Sequence, residues 1–432
     1  MEGQGHGHGG NPTRPPDEGE WTTRSDAPQA WMRGGPPQLP ARPSVGYLVG
    51  ARRGLSFILQ ERLRGLPQRP PECRECIVAA ARWLLRAQEI GGDGGVPVGY
   101  YVLTRRWGPS YPETTGYIIT TLLRLGRHGL LDRATMNAAA GRMGRWLLST
   151  QLETGAFPAG TVAVRPPQPA VFNTGQVLEG LGELVGAGMD ADGAFRRAAD
   201  RAADWMIATQ DPDGSWRRGV SPLTTEPVHA YYVRAAWPLA RYGRALGVER
   251  AVEAAVRNAE WVASVQDADG WFRHMNFDVG TEPWTHTIAY TIQGQLEIGV
   301  LAGRDDLVRS AERAARRILA LQDPQSGAVP GQIAAGFRPV GAWSSMTGNA
   351  QMAGIWLRLA RITGDASWRD AAEAANRFDC RVQDLGHRDP GRAGGLRGSY
   401  PGHLGYGRFW YMNWTQKFHV DALLEQMGLS TV

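Results

Sequence analysis

Lysine is almost missing from this chain. Lys417 is the single lysine among 47 basic residues; the rest are arginine. The arginines are scattered through amphipathic patterns such as Arg196-Arg197 and Arg313–Arg317 rather than clustered. A net charge of +5 carried in this way gives no nucleic-acid stripe, so no nucleic-acid partner is expected. Cysteine is also scarce, at Cys73, Cys76 and Cys380. One CxxC pair supplies only two of the four ligands a structural zinc site takes, and its i, i+3 spacing falls on an expected helix. Core thiols and no metal are therefore expected, and a disulfide framework is excluded. No apolar run reaches about 18 residues, which excludes a helical membrane span. A basic start followed by an apolar core is absent, so no signal peptide is visible and a cytoplasmic location is expected. No cofactor motif is expected either; the Gly-rich run 391–407 has no phosphate-loop spacing.

What is present is enough for a large core. Hydrophobic residues make up 42% of the 432, and charged residues an ordinary 21%. Residues 1–43 are Gly/Pro-rich and charged, and predict a disordered tail carrying His6 and His8. Residues 44–70 predict a lead-in helix. A repeat then occupies 71–432. Its phrase is an amphipathic helix, a Gln, and an acidic Gly turn, as in ARWLLRAQEIGGDGG and ADWMIATQDPDGSW. The glutamines are Gln88, Gln151, Gln210, Gln266, Gln322 and Gln383, at spacings of 63, 59, 56, 56 and 61. Self-similarity at so even a period is the mark of a repeat architecture.

Each phrase is followed by a second helical pattern, near Pro112, Phe172, His229, Thr285, Ser345 and Asn413. The first helix of each pair has one apolar stripe and belongs on a surface. The second is apolar nearly all round and belongs inside. The expected fold is all-α: an (α/α)6 toroid with six outer helices around six inner ones. Outer-to-inner connections are long and inner-to-outer ones short. Long loops usually carry function, so a funnel is expected at the N-termini of the inner helices.

The inner helices open on polar groups, which greasy helices should not carry without reason. These are Tyr111, Glu113 and Tyr117; Asn173 and Gln176; His229, Tyr231, Tyr232 and Arg234; His286 and Tyr290, after Glu282 and Trp284; Asn349 and Gln351; and Asn413, Trp414 and Lys417. Nearby loops add Arg105, Trp107, Arg218, Arg397, Tyr400 and Tyr406. Helix N-termini favour anions, and Arg binds carboxylates in bidentate fashion. An acidic, uronate-containing oligo- or polysaccharide is the expected partner. Elimination or C5 epimerisation needs a base and an acid, for which His229, Tyr232, His286, Tyr290 and Glu113 are the candidates. A hydrolase instead needs two carboxylates about 5–9.5 Å apart, for which Glu113 and Glu282 stand, with Asp278 behind. A non-catalytic toroid that binds a glycan or a biosynthetic partner is the alternative.

The Gln-acidic-Gly-aromatic phrase, most clearly QDPDGSW at 210–216, resembles the QW motif of terpenoid-cyclase and protein-prenyltransferase toroids. Their chemistry does not follow. The cyclase DxDD is absent, and Cys73 and Cys76 precede the first full hairpin. Longer strings are similar to a six-hairpin family found with bacterial and archaeal extracellular-polysaccharide biosynthesis. They are SYPETTGYIITTLL, VFNTGQVLEG, EPWTHTIAYTIQGQLEIG, MTGNAQMAGIWLRL and GGLRGSYPGHLGYGRFWYMNWTQKFHVDAL. The resemblance implies a toroid and a link to polysaccharide metabolism. One departure is AYYVR at 230–234, where an Asn beside the Tyr is expected. His229 and His286 also resemble the paired His groups of N-acylglucosamine 2-epimerases.

Overall fold

The computed structural model describes residues 45–429, with side chains from Leu48. The expected tail, with His6 and His8, lies outside the described residues. Helix α1 (Val45–Arg64) comes first. Six helical hairpins follow, each an outer helix and then an inner one. The outer helices are α2 (Cys73–Gly91), α4 (Arg133–Thr150), α6 (Ala194–Thr209), α8 (Glu249–Ser264), α10 (Asp305–Leu319) and α12 (Ala366–Val382). The inner helices are α3 (Pro112–Arg127), α5 (Val171–Gly186), α7 (Val233–Leu246), α9 (Thr285–Ala302), α11 (Met346–Thr363) and α13 (Asn413–Gln426). Five inner helices begin within one residue of the expected start. The third begins at Val233, after a single 3-10 turn over Ala230–Tyr232.

Each inner helix packs on the next, and α13 packs back on α3 and on the first outer helix, α2. The ring is closed, and the fold is the (α/α)6 toroid. Inner helices approach closely where side chains are missing. A Cβ on Gly116 of α3 would stand 2.6 Å from Val177 Cα, and one on Gly180 of α5 would stand 2.1 Å from the Gly116 carbonyl.

The repeated glutamine staples each hairpin to its neighbour. Gln151 Nε2 donates to the Gly155 carbonyl in its own turn and to Ala198 on the next outer helix, both at 2.8 Å. Gln88, Gln210, Gln266 and Gln322 repeat the pattern on Ala139, Ala254, Ser310 and Ala371. Gln383 completes it by reaching round to Cys76. The turn glycines run at positive φ; Gly214, at 87°, has its Cα so near the Arg257 carbonyl that a side chain would clash.

Inside the ring, towards the C-terminal ends of the inner helices, lies a belt of charge whose sign alternates from helix to helix. Arg127 of α3 meets Glu183 of α5 at 3.1 Å, and Glu183 meets Arg241 of α7 at 3.3 Å. Glu297 of α9 meets Arg358 of α11 at 3.1 Å. Arg361 of α11 pairs with Glu425 of α13, and Glu425 returns to Arg124 of α3 at 2.9 Å. Buried pairs add little net stability, but a missing partner is costly. Alternation therefore favours this circular order, because neighbours of like sign would repel.

Candidate active site

The long outer-to-inner loops gather at the N-terminal ends of the inner helices. They frame a cavity of about 740 Å³, part of it open to solvent. Aromatic walls come from Tyr111, Tyr117, Phe172, Tyr231, Tyr232, Phe277, Tyr290, Tyr406 and Trp414. The chemistry-bearing groups among them are Glu113, Asn173, Asp278 and His286. The loops are short of regular structure, but β1 (Gly99–Tyr101) pairs with β2 (Arg106–Trp107) and with β3 (Trp410–Met412). These strands tie the first and last loops together beside the mouth.

Glu113 occupies the first turn of α3. Its Oε2 accepts from the Tyr111 hydroxyl at 2.7 Å and from Asn173 Nδ2 at 3.0 Å. Burial pushes its carboxyl up to about 7, against the opposing pull of the Tyr111 hydrogen bond and the Arg234 charge. With both donors on Oε2, the proton of the acid form belongs on Oε1.

His286 stands in the first turn of α9. Its Nδ1 donates to Gln351 Oε1 at 2.8 Å, which leaves Nε2 as the basic nitrogen. Burial lowers its pKa to about 4, although the Gln351 bond acts the other way. The ring lies between Tyr290 at 4.4 Å and Tyr406 at 5.7 Å, centroid to centroid. Near neutral pH the carboxyl is about half protonated and the imidazole is neutral, the reverse of their usual order. Burial also holds the Tyr290 and Tyr406 phenols well above their ordinary range, so they act as donors and not as bases.

The remaining expected site residues are elsewhere or otherwise engaged. His229 does not line the cavity. Its Nδ1 donates to the Asn276 carbonyl at 3.1 Å and its Nε2 meets Thr224 Oγ1 at 3.0 Å. With both nitrogens committed and burial lowering its pKa to about 3, it braces two loops. Tyr232 lines the cavity, but its hydroxyl accepts the Ser221 amide at 3.0 Å. Glu282 is exposed on the approach to α9 and outside the cavity wall. Asp278 takes its place, with Oδ1 held by the Thr225 amide and hydroxyl at 3.0 and 2.9 Å.

The Arg-lined funnel does not form: among the described residues, no Arg or Lys lines this cavity. Arg105 and Arg218 are exposed, near Asp389 and Asp211. Arg397 is bound to Asp384 and Glu61. Arg234 is buried on Glu179 at 2.8 Å, in the charged layer beneath the cavity. Lys417 is there too, 2.7 Å from Asp421 and over the Phe418 ring at 4.3 Å. Every one of these cations found a carboxylate that its sequence spacing does not announce.

Several polar residues serve the scaffold. Asn349 bonds the Val329 amide and the Asp379 carboxyl. Asn413 donates to the Pro97 carbonyl and to Thr114 Oγ1. Trp107 packs on Trp83, and Tyr400 on Phe378. Trp284 stacks on Tyr406 at 4.4 Å, which places it behind the cavity wall. Gln176 is fully buried away from the cavity. Gln351 touches no substrate space in the funnel; it orients His286 from below.

Fold and cavity together define a six-hairpin α/α-toroid with an aromatic cavity at one end of the ring. The chain is similar in structure to an unsaturated glucuronyl hydrolase specific for heparin, with a TM-score of 0.65 and 14% identity, over 83% of this chain and 98% of that one. It is similar to the unsaturated glucuronyl hydrolase of Bacillus sp. GL1, responsible for the degradation of glycosaminoglycan, with a TM-score of 0.60 and 18% identity, over 82% and 96%. A D-mannose isomerase matches with a TM-score of 0.63 and 11% identity, over 90% and 99%. At these identities the likeness establishes the fold. No protein-family profile and no curated protein sequence matches the chain. No helix among the described residues is long and apolar enough to cross a membrane.

Proposed function

We propose that this protein is a carbohydrate-active enzyme that moves a proton on a uronate-containing oligo- or polysaccharide, as a lyase or epimerase. One observation carries the reading. A carboxyl raised to about 7 and a neutral imidazole with a free nitrogen line the same aromatic cavity. Groups pushed apart in this way mark acid and base roles. His286 Nε2 takes the proton beside the sugar carboxylate. Glu113 Oε1–H delivers one to the leaving oxygen, or to the opposite ring face. Tyr111 and Asn173 hold Glu113 in place, and the aromatic walls stack on the sugar. The named relatives with this fold act on glycosaminoglycan or on mannose, which supports a sugar substrate. With no fixed cation in the wall, an acidic sugar is received best while Glu113 is protonated.

Hydrolysis is the second reading, favoured by one observation: Glu113 and Asp278 are two carboxylates on one cavity. Assay of purified protein on heparosan, hyaluronan, alginate and polygalacturonate separates them. Growth of unsaturated-uronate absorbance, or deuterium uptake at C5, supports proton transfer. New reducing ends without either would replace it with hydrolysis. Binding without turnover on any uronic polymer would make the toroid a glycan-binding protein.

A further inference from the structure

All three cysteines of the chain meet at one place, and it is the seam of the ring. Cys73 and Cys76 stand one turn apart at the start of α2, the first outer helix. Cys380 lies in the last turn of α12, and His419 on α13, in the last hairpin. The Cys73 and Cys76 thiols both reach the Cys380 thiol. The sulfurs of Cys76 and Cys380 and a ring nitrogen of His419 lie within 4.8 Å of one another, all buried.

The His419 ring is prepared for a ligand. Gln383 Nε2 donates to the carbonyls of Cys76 and Gly394, at 3.0 and 2.9 Å. That fixes the amide, so Gln383 Oε1 must accept, and it faces His419 Nε2 at 3.2 Å. The proton of the neutral ring therefore sits on Nε2. Nδ1 is left with a lone pair, fully buried and without a hydrogen-bond partner. Buried polar atoms are rarely left so, and an unoccupied ligand position is one reason for it.

We propose that Cys73, Cys76, Cys380 and His419 form a structural zinc site that staples the two ends of the ring. Three thiolates and one imidazole are a standard tetrahedral zinc set. Bonds of about 2.3 Å to sulfur set the ligand atoms about 3.8 Å apart. Cys76, Cys380 and His419, within 4.8 Å of one another, need only a small contraction, and Cys73, which stands outside that trio, must swing in from its place beside Cys380. The surroundings match a ligated state. His419 gives its other N–H to a side-chain carbonyl, as metal-bound imidazoles do, and Gln426 Nε2 stands 3.6 Å from Cys73 Sγ as a donor to thiolate. A disulfide would use two of the three sulfurs and leave the imidazole lone pair unanswered. Four protein ligands leave no open position, so the metal is structural, remote from the sugar chemistry, and independent of the function proposed above.

Elemental analysis of the full-length protein, purified under reducing conditions from zinc-supplemented cells, tests it. One zinc per chain is expected, with clear loss in Cys380→Ser and His419→Gln. If those variants fail to fold, wild-type protein stripped of metal decides the matter. On titration with cobalt(II) it should give the intense visible bands of tetrahedral cobalt and a thiolate-to-metal charge-transfer band, saturating at one equivalent. Stripping should lower the thermal midpoint, and zinc should restore it. Zinc-free protein that takes up no cobalt, or a disulfide among the three cysteines in peptide mapping, would overturn the site. Bound zinc whose removal leaves the midpoint unchanged would overturn the staple.

Discussion

Gln383 Nε2 donates to the carbonyl of Cys76 at 3.0 Å, across 307 positions of sequence. The bond is the sixth copy of a contact made five times between neighbouring hairpins, and it is the copy that shuts the circle. A local turn motif thus becomes a long-range closure when the last repeat finds the first.

The staple has a cost when removed. Gln322 Nε2 serves the carbonyls of Gly327 and Ala371, at 3.0 and 2.9 Å. Gln322→Leu leaves both short of a donor in a half-buried turn, and should destabilise the fold by about 1–3 kcal/mol. Chemical denaturation would show a lower midpoint with an unchanged slope. An unchanged midpoint would mean that the motif marks the repeat without holding it.

Glu113 should trade stability for function. Its folded pKa of about 7 lies above the ordinary 4.5, so the folded state holds the proton more tightly. That contribution is fully present below about 4.5 and is lost as pH rises through 7, to a total of about 3 kcal/mol. Glu113→Gln cannot ionise. It should match the wild type near pH 4, exceed it by up to about 3 kcal/mol at pH 8, and lose turnover. In the wild type, kcat/KM should fall above about pH 7 as the acid ionises, and below about pH 4 as His286 protonates. Equal stability of the two proteins at pH 8 would refute the raised pKa.

Gln351 should matter through His286 alone. Gln351→Leu removes the acceptor that fixes the ring, and should lower kcat by about 10–100-fold with little change in KM. Gln351→Glu keeps an acceptor at Nδ1 and raises the imidazole pKa, so it should retain activity and move the acid limb of the profile to higher pH. Loss of activity in both, with the limb unmoved, would take His286 out of the mechanism.

Glu425, like Glu183, is a belt residue with partners on two different helices, here Arg124 and Arg361. Glu425→Gln leaves Arg361 without its carboxylate and Arg124 with Asp421 alone, at 3.2 Å, and should destabilise by up to about 3 kcal/mol. Replacing Arg361 with Met in the same chain should recover part of the loss. Thermal melts of the single and double variants would show it, and strict additivity would argue against coupling round the ring.

The sequence by itself determined the fold. Period-3.6 patterns, six glutamines at even spacing and the contrast between one-sided and all-round apolar helices are local signals, and each was readable without knowing what lay beside it. Five inner-helix starts follow from those patterns; the third was displaced by the 3-10 turn at Ala230–Tyr232, which no periodicity marks. The six polar openings lie at the end of the ring that holds the aromatic cavity, and Glu113, His286, Tyr290 and Tyr406 line it. Only the tertiary structure decided what each polar group does. His229 and His286 look alike in sequence, yet one has both nitrogens bonded to loops and the other keeps one free. Arg234, Arg397 and Lys417 looked like ligands for an anion and are held by Glu179, Asp384 and Asp421. Asp278, not Glu282, reaches the cavity. Cys380 and His419 come to the CxxC pair only because the ring closes. Charge pairing, burial and ligand convergence depend on distances through space between residues far apart in the chain, and those distances exist only once the hairpins have packed.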